Sequence, residues 1–414
     1  MIGMYQPVAM GNRAWNDLNG NGIQDEGEPG MPDVIVYLRD ESGNEIDSTS
    51  TDADGNYSFE GLSPAKYAVR FDLVNYPEYV FTILAKSGTP INSTVDDPPS
   101  SLYSDVTSDA DRETGITSTV QVFSGTFYQS ADAGAFIPVI INGTTWHDRD
   151  ADGLREDGEE GLLGSTVELF RDGELVAITV TDSNGYWIFD DQPPGTYYAA
   201  LTPPLPEYEL SPLAANGTDF DPDTFQTAPV SLVSGESGEG HFDAGLYLPA
   251  TIGDRVWVDE TPNGIQDSDE LEFDNSKPVI IELRDELGYL VGSTQTDDAG
   301  MYSFTGVKPG TYDLTFILPD EENVFTLQNA GNDTAVDSDV SPLTGTTTVT
   351  VVSAQKKLDV DAGVMDAGPY YPDWTNDVQV CTNDGFDPAW LEIQEVNYLY
   401  KNKEDCCKAH FWWR

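Results

Sequence analysis

The chain has 414 residues, enough for about two to four domains that each bury a core. Its 73 Asp and Glu against 19 Lys and Arg give a formal net charge of −54, which argues against nucleic acid or anionic membrane as a partner. An aromatic share of 11% and a hydrophobic share of 39% argue against disorder, so a fold neutralised in part by a cation is expected, with calcium the natural candidate.

No run of 18 apolar residues occurs, so no membrane-spanning helix is expected. The opening MIGMYQPVAMGNRAW lacks the charged and apolar regions of a signal peptide; a secreted form would have lost its signal or be a piece of a longer chain. Cysteine is absent before Cys381, so the first three-quarters cannot depend on disulfides.

Read in chain order, the first landmark is WNDLNGNGIQDEGE, Trp15 to Glu28. It returns as WHDRDADGLREDGE from Trp146 and as WVDETPNGIQDSDE from Trp257. After each loop comes a strand-like run (VIVYLRDESGN, TVELFRDGEL, VIIELRDELGY), then TDADGNYSF, TDSNGYWIF or TDDAGMYSF. In the last group a turn Gly precedes alternating aromatics, Tyr57 and Phe59, Trp187 and Phe189, Tyr302 and Phe304, the pattern of a strand with one buried face. A second turn and strand follow (LSPAKYAV, QPPGTYYA, VKPGTYDL), and each copy closes on Asp-Ala-Gly at Asp132, Asp243 and Asp361.

Short alternating strands between turn signals predict an all-β chain of three tandem antiparallel β-sandwiches, with Trp15, Trp146 and Trp257 as core anchors. The expected boundaries are 1–136, 137–248 and 249–365, with 366–414 a small, Cys-containing, partly helical module. The connectors AGAFIPVIING and AGLYLPATIGD are short and not Gly/Ser-rich, which favours an extended semi-rigid array.

Numbered from Asp17, the first loop offers side chains at positions 1, 3 and 5 (Asp17, Asn19, Asn21), a carbonyl at 7 (Ile23) and a two-oxygen carboxylate at 12 (Glu28). Calcium takes six to eight oxygens in flexible geometry, and Gly22 at position 6 permits the sharp bend. The second loop repeats this with Asp148, Asp150, Asp152, Leu154 and Glu159, the third with Asp259, Thr261, Asn263, Ile265 and Glu270. Thr261 is a poorer ligand, so the third site is expected to bind less tightly or to recruit a water. A strand-like entry and Pro29-Gly30 at the exit exclude the flanking helices of an EF-hand. A solvated Asn/Gly turn is the plainer alternative; its repetition at one domain position favours calcium.

Later acidic clusters are Asp96, Asp97, Asp105, Asp109 and Asp111; Asp219, Asp221 and Asp223; and Asp333, Asp337 and Asp339. With Asp132, Asp243 and Asp361 they form a second set of candidate calcium ligands, weighed against solvated acidic loops.

Taken together, WNDLNGNGIQDEGEPGMPDVIVYL, TDADGNYSFEGL and their counterparts resemble the calcium-binding B repeats of Gram-positive surface adhesins of the serine–aspartate repeat type, across roughly residues 8–365. The resemblance implies a Greek-key, transthyretin-like sandwich, calcium in the loops and a stalk or spacer role. Related collagen-adhesin domains carry a Lys–Asn crosslink from a first-strand lysine. No lysine precedes Lys66, none lies in copy two, and Lys277 follows the third loop, so calcium is the expected stiffener. The tail, YYPDWTNDVQVCTNDGFDPAWLEIQEVNYLYKNKEDCCKAHFWW, shows no Ser-Asp repeat or wall-sorting signal. It is similar to a short Cys-rich module of diatom and algal surface proteins, which implies a eukaryotic secretory route.

Sequons at Asn56, Asn92, Asn142, Asn216 and Asn332 are candidate glycosylation sites, with Asn56, Asn92 and Asn216 expected to be exposed. In the tail, Asp387-Pro388 can open a helix continued by Trp390, Ile393 and Tyr400. Cys381 is expected to pair with Cys406 or Cys407, leaving one thiol, and a zinc site with His410 is the alternative.

Catalysis has little support: His147, His241 and His410 lie in separate modules, and no nucleophile elbow or phosphate loop occurs. The leading expectation is a non-enzymatic, extracellular, calcium-stiffened stalk or filament component of a cell surface or matrix, its partners other copies or surface proteins. The alternative is a recognition protein binding glycan or protein through sandwich loops or the tail tryptophans Trp374, Trp390, Trp412 and Trp413.

Overall fold

A computed structural model describes residues 4–82, 107–235, 240–268, 270–273, 277–320 and 322–368, with 371–373, 380–382 and 406–407. By internal contacts the chain divides into two units. One is Met1–His147, Gly153–Pro204 and Pro212–Gly245; the other is Asp148–Asp152, Leu205–Ser211 and Leu246–Arg414.

The first sandwich is built from β1 (Val8–Asn16), β2 (Ile35–Asp40), β3 (Glu45–Ser50), β4 (Asn56–Leu62), β5 (Ala65–Asp72), β6 (Val80–Phe81), β7 (Val120–Val122), β8 (Phe127–Tyr128) and β9 (Ala133–Phe136). One sheet runs β4-β1-β9-β6, with β8 also on β1; the other runs β3-β2-β5-β7. The third sandwich repeats both orders from Ala250–Val258 to Ala362–Asp366. In the second, Val139–His147 pairs antiparallel with Tyr186–Gln192 as β1 does with β4, and Thr166–Arg171 lies between Glu174–Val180 and Gly195–Thr202 as β2 does between β3 and β5.

The fold is the expected array of three sandwiches, with one difference. β1 pairs parallel with β9, as Ala250–Val258 does with Ala362–Asp366. First and last strands therefore run the same way, so the chain enters a sandwich at one end and leaves it at the other, which suits concatenation.

The aromatic alternation does what its period requires. Tyr57 and Phe59 are buried while Ser58 and Glu60 between and after them are exposed, and Trp187/Phe189 and Tyr302/Phe304 repeat this. Tyr57 packs edge-on to Phe71 as Tyr302 does to Phe316, with ring centroids 5.5 and 5.4 Å apart. Trp15, Trp146 and Trp257 are fully buried and serve as packing residues, each worth about 3–5 kcal/mol against alanine. The Asp-Ala-Gly triplets also have a packing reason: a Cβ on Gly134 or Gly363 would sit 2.9 Å from the indole of Trp15 or Trp257.

In the tail, Tyr371–Asp373 pairs antiparallel with Val380–Thr382, and Cys381 is disulfide-bonded to Cys406 with Cα atoms 6.0 Å apart. Cys407 is a free thiol. This corrects the zinc alternative, because two of its donors are consumed in the disulfide. The expected helix from Asp387, the four tail tryptophans and His410 lie outside the described residues, as do Asn92, Asp96, Asp97 and Asp105.

Candidate calcium sites

Each loop hangs between two fixed points. The amide at position 1 donates to the closing strand: Asp17 to Ala135 at 2.8 Å, Asp148 to Leu246 at 2.9 Å, Asp259 to Val364 at 2.8 Å. The carbonyl at position 6 accepts the amide of a later Ser or Thr: Gly22 from Ser108, Gly153 from Thr218, Gly264 from Ser338, at 2.9, 2.7 and 3.1 Å. These three glycines have φ of +78°, +87° and +74°, a region a side chain would strain.

In the first loop Asp17 is completely buried. Its Oδ1 accepts the amide of Asn21 at 3.2 Å, and its Oδ2 the amide of Gly22 and the hydroxyl of Thr82, each at 2.8 Å. Glu28 closes the loop by accepting the amides of Leu18 at 2.8 Å and Asp25 at 3.0 Å. Asn19 and Asn21 both send Nδ2 to Asp25 Oδ2 at 2.8 Å. Burial, with the charges of Asp17 and Asp25, pushes the Glu28 carboxyl up to about 7, against the opposing pull of those two amides.

The third loop follows suit. Asp259 is buried and accepts the amides of Asn263 and Gly264 at 3.3 and 2.8 Å, and the hydroxyl of Thr326. Glu270 accepts the amides of Asp267 at 2.9 Å and Thr261 at 3.4 Å, and Asn263 reaches Asp267 at 3.1 Å. Thr261 is exposed. In the second loop the carboxylates of Asp148, Asp150 and Asp152 lie within 4.8 Å of one another, Glu159 accepts the amide of Glu156 at 3.0 Å, and the Leu154 carbonyl accepts the Trp146 indole N–H at 3.1 Å. The corresponding indole N–H groups of Trp15 and Trp257 are buried without a partner.

The donor set is therefore all oxygen, as a hard cation requires. In the first and third loops the position-1 and position-12 carboxylates accept amides of their own loop, and one further acidic position joins them. Position 9 is acidic in every copy, Asp25, Glu156 and Asp267; in the first loop it receives the side chains of Asn19 and Asn21, and in the third that of Asn263. The same twelve-position template would have found it.

Of the second set, one pair recurs three times. Asp109 and Asp132, Asp219 and Asp243, and Asp339 and Asp361 exchange two bonds each: the amide of the first donates to the carbonyl of the second, and the amide of the second to a carboxylate oxygen of the first. Asp132 takes the side chain of Asn12 at 2.8 Å; Asp243 takes Thr144 at 3.0 Å and His241 at 2.9 Å. In the third sandwich Asp254 stands where Asn12 stands in the first, and Asp361 Oδ2 is buried without a partner. Burial and the neighbouring charges of Asp254, Asp339 and Asp359 push Asp361 up to about 8; burial first, then Asp337, pushes Asp339 up to about 6.

The remaining members do something else. Asp221 caps its own turn through Asp223 and Thr224, and Asp111 does so through Glu113 and Thr114. Asp337 is buried and bridges Ile265 of the third loop. Among the sequons, Asn56, Asn216 and Asn332 are exposed. Asn142 is buried in a strand, with Oδ1 2.6 Å from His241 Nδ1.

A family model described as SdrD B-like domain matches residues 8–135, 140–246 and 250–364. Serine-aspartate repeat-containing protein D of Staphylococcus aureus (strain MW2) is 31% identical over 374 residues, 89% of this chain and 25% of its own. Serine-aspartate repeat-containing protein F of Staphylococcus epidermidis is 30% identical over 371 residues, 87% of this chain and 20% of its own. The chain thus spans a quarter or less of these relatives. Among solved structures, the Bacillus anthracis TIE protein aligns at TM-score 0.29 and 10% identity, over 87% of this chain and 50% of its own, a likeness too low to carry an argument. The family model stops at residue 364, and the tail's expected kinship with algal modules finds no support in these comparisons. The chain belongs to the SdrD B-like domain family, whose pattern it carries three times in tandem.

Proposed function

We propose that this chain is an extracellular, non-enzymatic stalk or filament segment of a cell surface or matrix, stiffened by calcium held in its three acidic loops. The observation that carries the reading is the repeated loop geometry. Oxygen-bearing side chains recur at positions 1, 3, 5, 9 and 12 of each loop, positions 1 and 6 are anchored to later segments, and position 1 is buried each time. Without a cation these carboxylates repel one another; at Glu28 burial first, and then the charges of Asp17 and Asp25, push the carboxyl up to about 7.

The residues fit the ion. Asp17, Asn19, Asn21, Asp25 and Glu28, with the Ile23 carbonyl, would hold it in the first loop; their counterparts would do so in the others. Calcium supplies charge neutralisation and a fixed loop, and binding to the folded form alone stabilises it by about 1.4 kcal/mol per site at tenfold excess over Kd. The third sandwich offers a further cation position at Asp254, Asp339 and Asp361, supported by the orphaned oxygen of Asp361. Kinship with serine-aspartate repeat proteins supports the surface setting.

Limited proteolysis of the full chain tests the proposal. With millimolar calcium the 1–365 region should resist cleavage, and with EGTA it should be cut within the loops; equal cleavage in both would count against calcium as the stiffener.

A further inference from the structure

In the first two acidic loops, backbone carbonyls at positions 2 to 4 are engaged by the following repeat. In the first loop the carbonyl of Leu18, at position 2, accepts the amide of Ser234 from the second sandwich at 3.0 Å. The Ser234 hydroxyl donates to Asn16 Oδ1 and accepts the amide of Ile137 in the connector, both at 2.8 Å. Arg171 Nη2 donates to the carbonyls of Asn19 and Gly20, at positions 3 and 4, both at 3.0 Å. Gly20 has φ +63°, and a Cβ there would lie 2.9 Å from Pro194, so this rim is closely packed.

The arrangement returns at the next junction. The amide of Ser353, in the third sandwich, donates to the carbonyl of Arg149 at 2.8 Å, and Arg149 is position 2 of the second loop. The Ser353 hydroxyl accepts the amide of Leu248 in the connector at 2.8 Å, and the amide of Ala354 donates to the Leu248 carbonyl at 2.9 Å. Ile137 and Leu248 each stand two residues before the first strand of their sandwich. Two junctions thus use one loop position, one residue type and one connector position, although their flanking sequences differ.

We infer that the outer rim of the first and of the second acidic loop is a docking surface for the serine turn of the following repeat, and that cation occupancy of the loop sets how firmly that repeat is held. The inference rests on the calcium reading above. Residues 17–20 belong to both functions: Asp17 and Asn19 give side chains to the ion position, while Leu18, Asn19 and Gly20 give carbonyls to the next sandwich. An ion that fixes this backbone presets the carbonyls for docking, and by linkage docking must strengthen ion binding by the same factor.

Hydrogen exchange on the full chain tests it. Calcium should slow exchange at the amides of Ile137, Ser234, Leu248 and Ser353 by about fivefold or more. Glu28→Gln should abolish the effect at Ile137 and Ser234 alone, and Asp150→Asn with Asp152→Asn at Leu248 and Ser353 alone, while the Leu38 and Val69 amides report that the first sandwich stays folded. Ser234→Ala, which leaves every proposed ligand in place, should weaken one calcium site about fivefold and leave the other two unchanged. Calcium uptake with unchanged junction exchange, or with an unaltered site in Ser234→Ala, overturns the coupling and leaves the calcium reading standing. Absence of any calcium uptake overturns both.

Discussion

The amide of Asp361 donates to Oδ2 of Asp339 at 2.8 Å, which brings a buried and a half-buried carboxyl group together while Asp361 Oδ2 faces no donor. In the first sandwich the matching position is relieved by Asn12, which donates to Asp132. In the third it is not, because Asp254 replaces the asparagine.

This has a pH consequence in the calcium-free chain. Asp361 and Asp339 are raised to about 8 and about 6, so between the ordinary carboxylate range and those values the folded state binds more protons than the unfolded one. The stability they contribute is fully present near pH 4 and is lost as pH rises through 6 to 8. Thermal unfolding in EGTA should therefore show a higher Tm at pH 5 than at pH 8. A flat profile would contradict it.

Asp254→Asn should remove much of that dependence by supplying the missing donor. At pH 8 without calcium it should raise the Tm of the third sandwich by roughly 3 °C, about half a kcal/mol for a domain of this size. Differential scanning calorimetry reads this directly.

Position 1 and position 12 of the first loop should separate folding from ion binding. Asp17→Ala strips partners from the Asn21 and Gly22 amides and the Thr82 hydroxyl, so it should cost about 2–4 kcal/mol in urea unfolding even in EGTA. Glu28→Gln keeps the side-chain length and removes a charge held at a raised pKa. It should leave calcium-free stability equal or higher while lowering calcium affinity at that site about tenfold.

Much of this was legible in the sequence because the physics there is local and periodic. Tyr57 and Phe59, two apart, declare a strand face, and Asp17, Asn19, Asn21 and Glu28 declare a loop by spacing alone. What was not legible depends on strand neighbours distant in the chain. Nothing near Asp132 or Asp361 indicates that one faces Asn12 and the other Asp254. The parallel pairing of β1 with β9, the burial of Asn142 against His241, and the contacts of Ser234 with Leu18 arise only when segments about 100 to 200 residues apart are brought together. Asp25 was within reach, since position 9 belongs to the template already applied.

Exposure sorts the sequons. In a host that glycosylates Asn-X-Ser/Thr, Asn56, Asn216 and Asn332 should be modified and Asn142 should not, as read by mass spectrometry after deglycosylation in heavy water.

The third loop provides a graded check on ligand chemistry. Thr261→Asp should tighten that site several-fold toward the others, because a carboxylate replaces a hydroxyl at position 3. Calcium titrations of the single variant beside the parent chain would show the change at one site of three.

The most direct measurement is isothermal titration of calcium into the full, metal-stripped chain. At least three sites per chain are expected, with proton release at neutral pH from groups such as Glu28 and a rise in melting temperature that EGTA reverses. Titration without heat in buffers of differing ionisation enthalpy, and a melting temperature indifferent to EGTA, would contradict this.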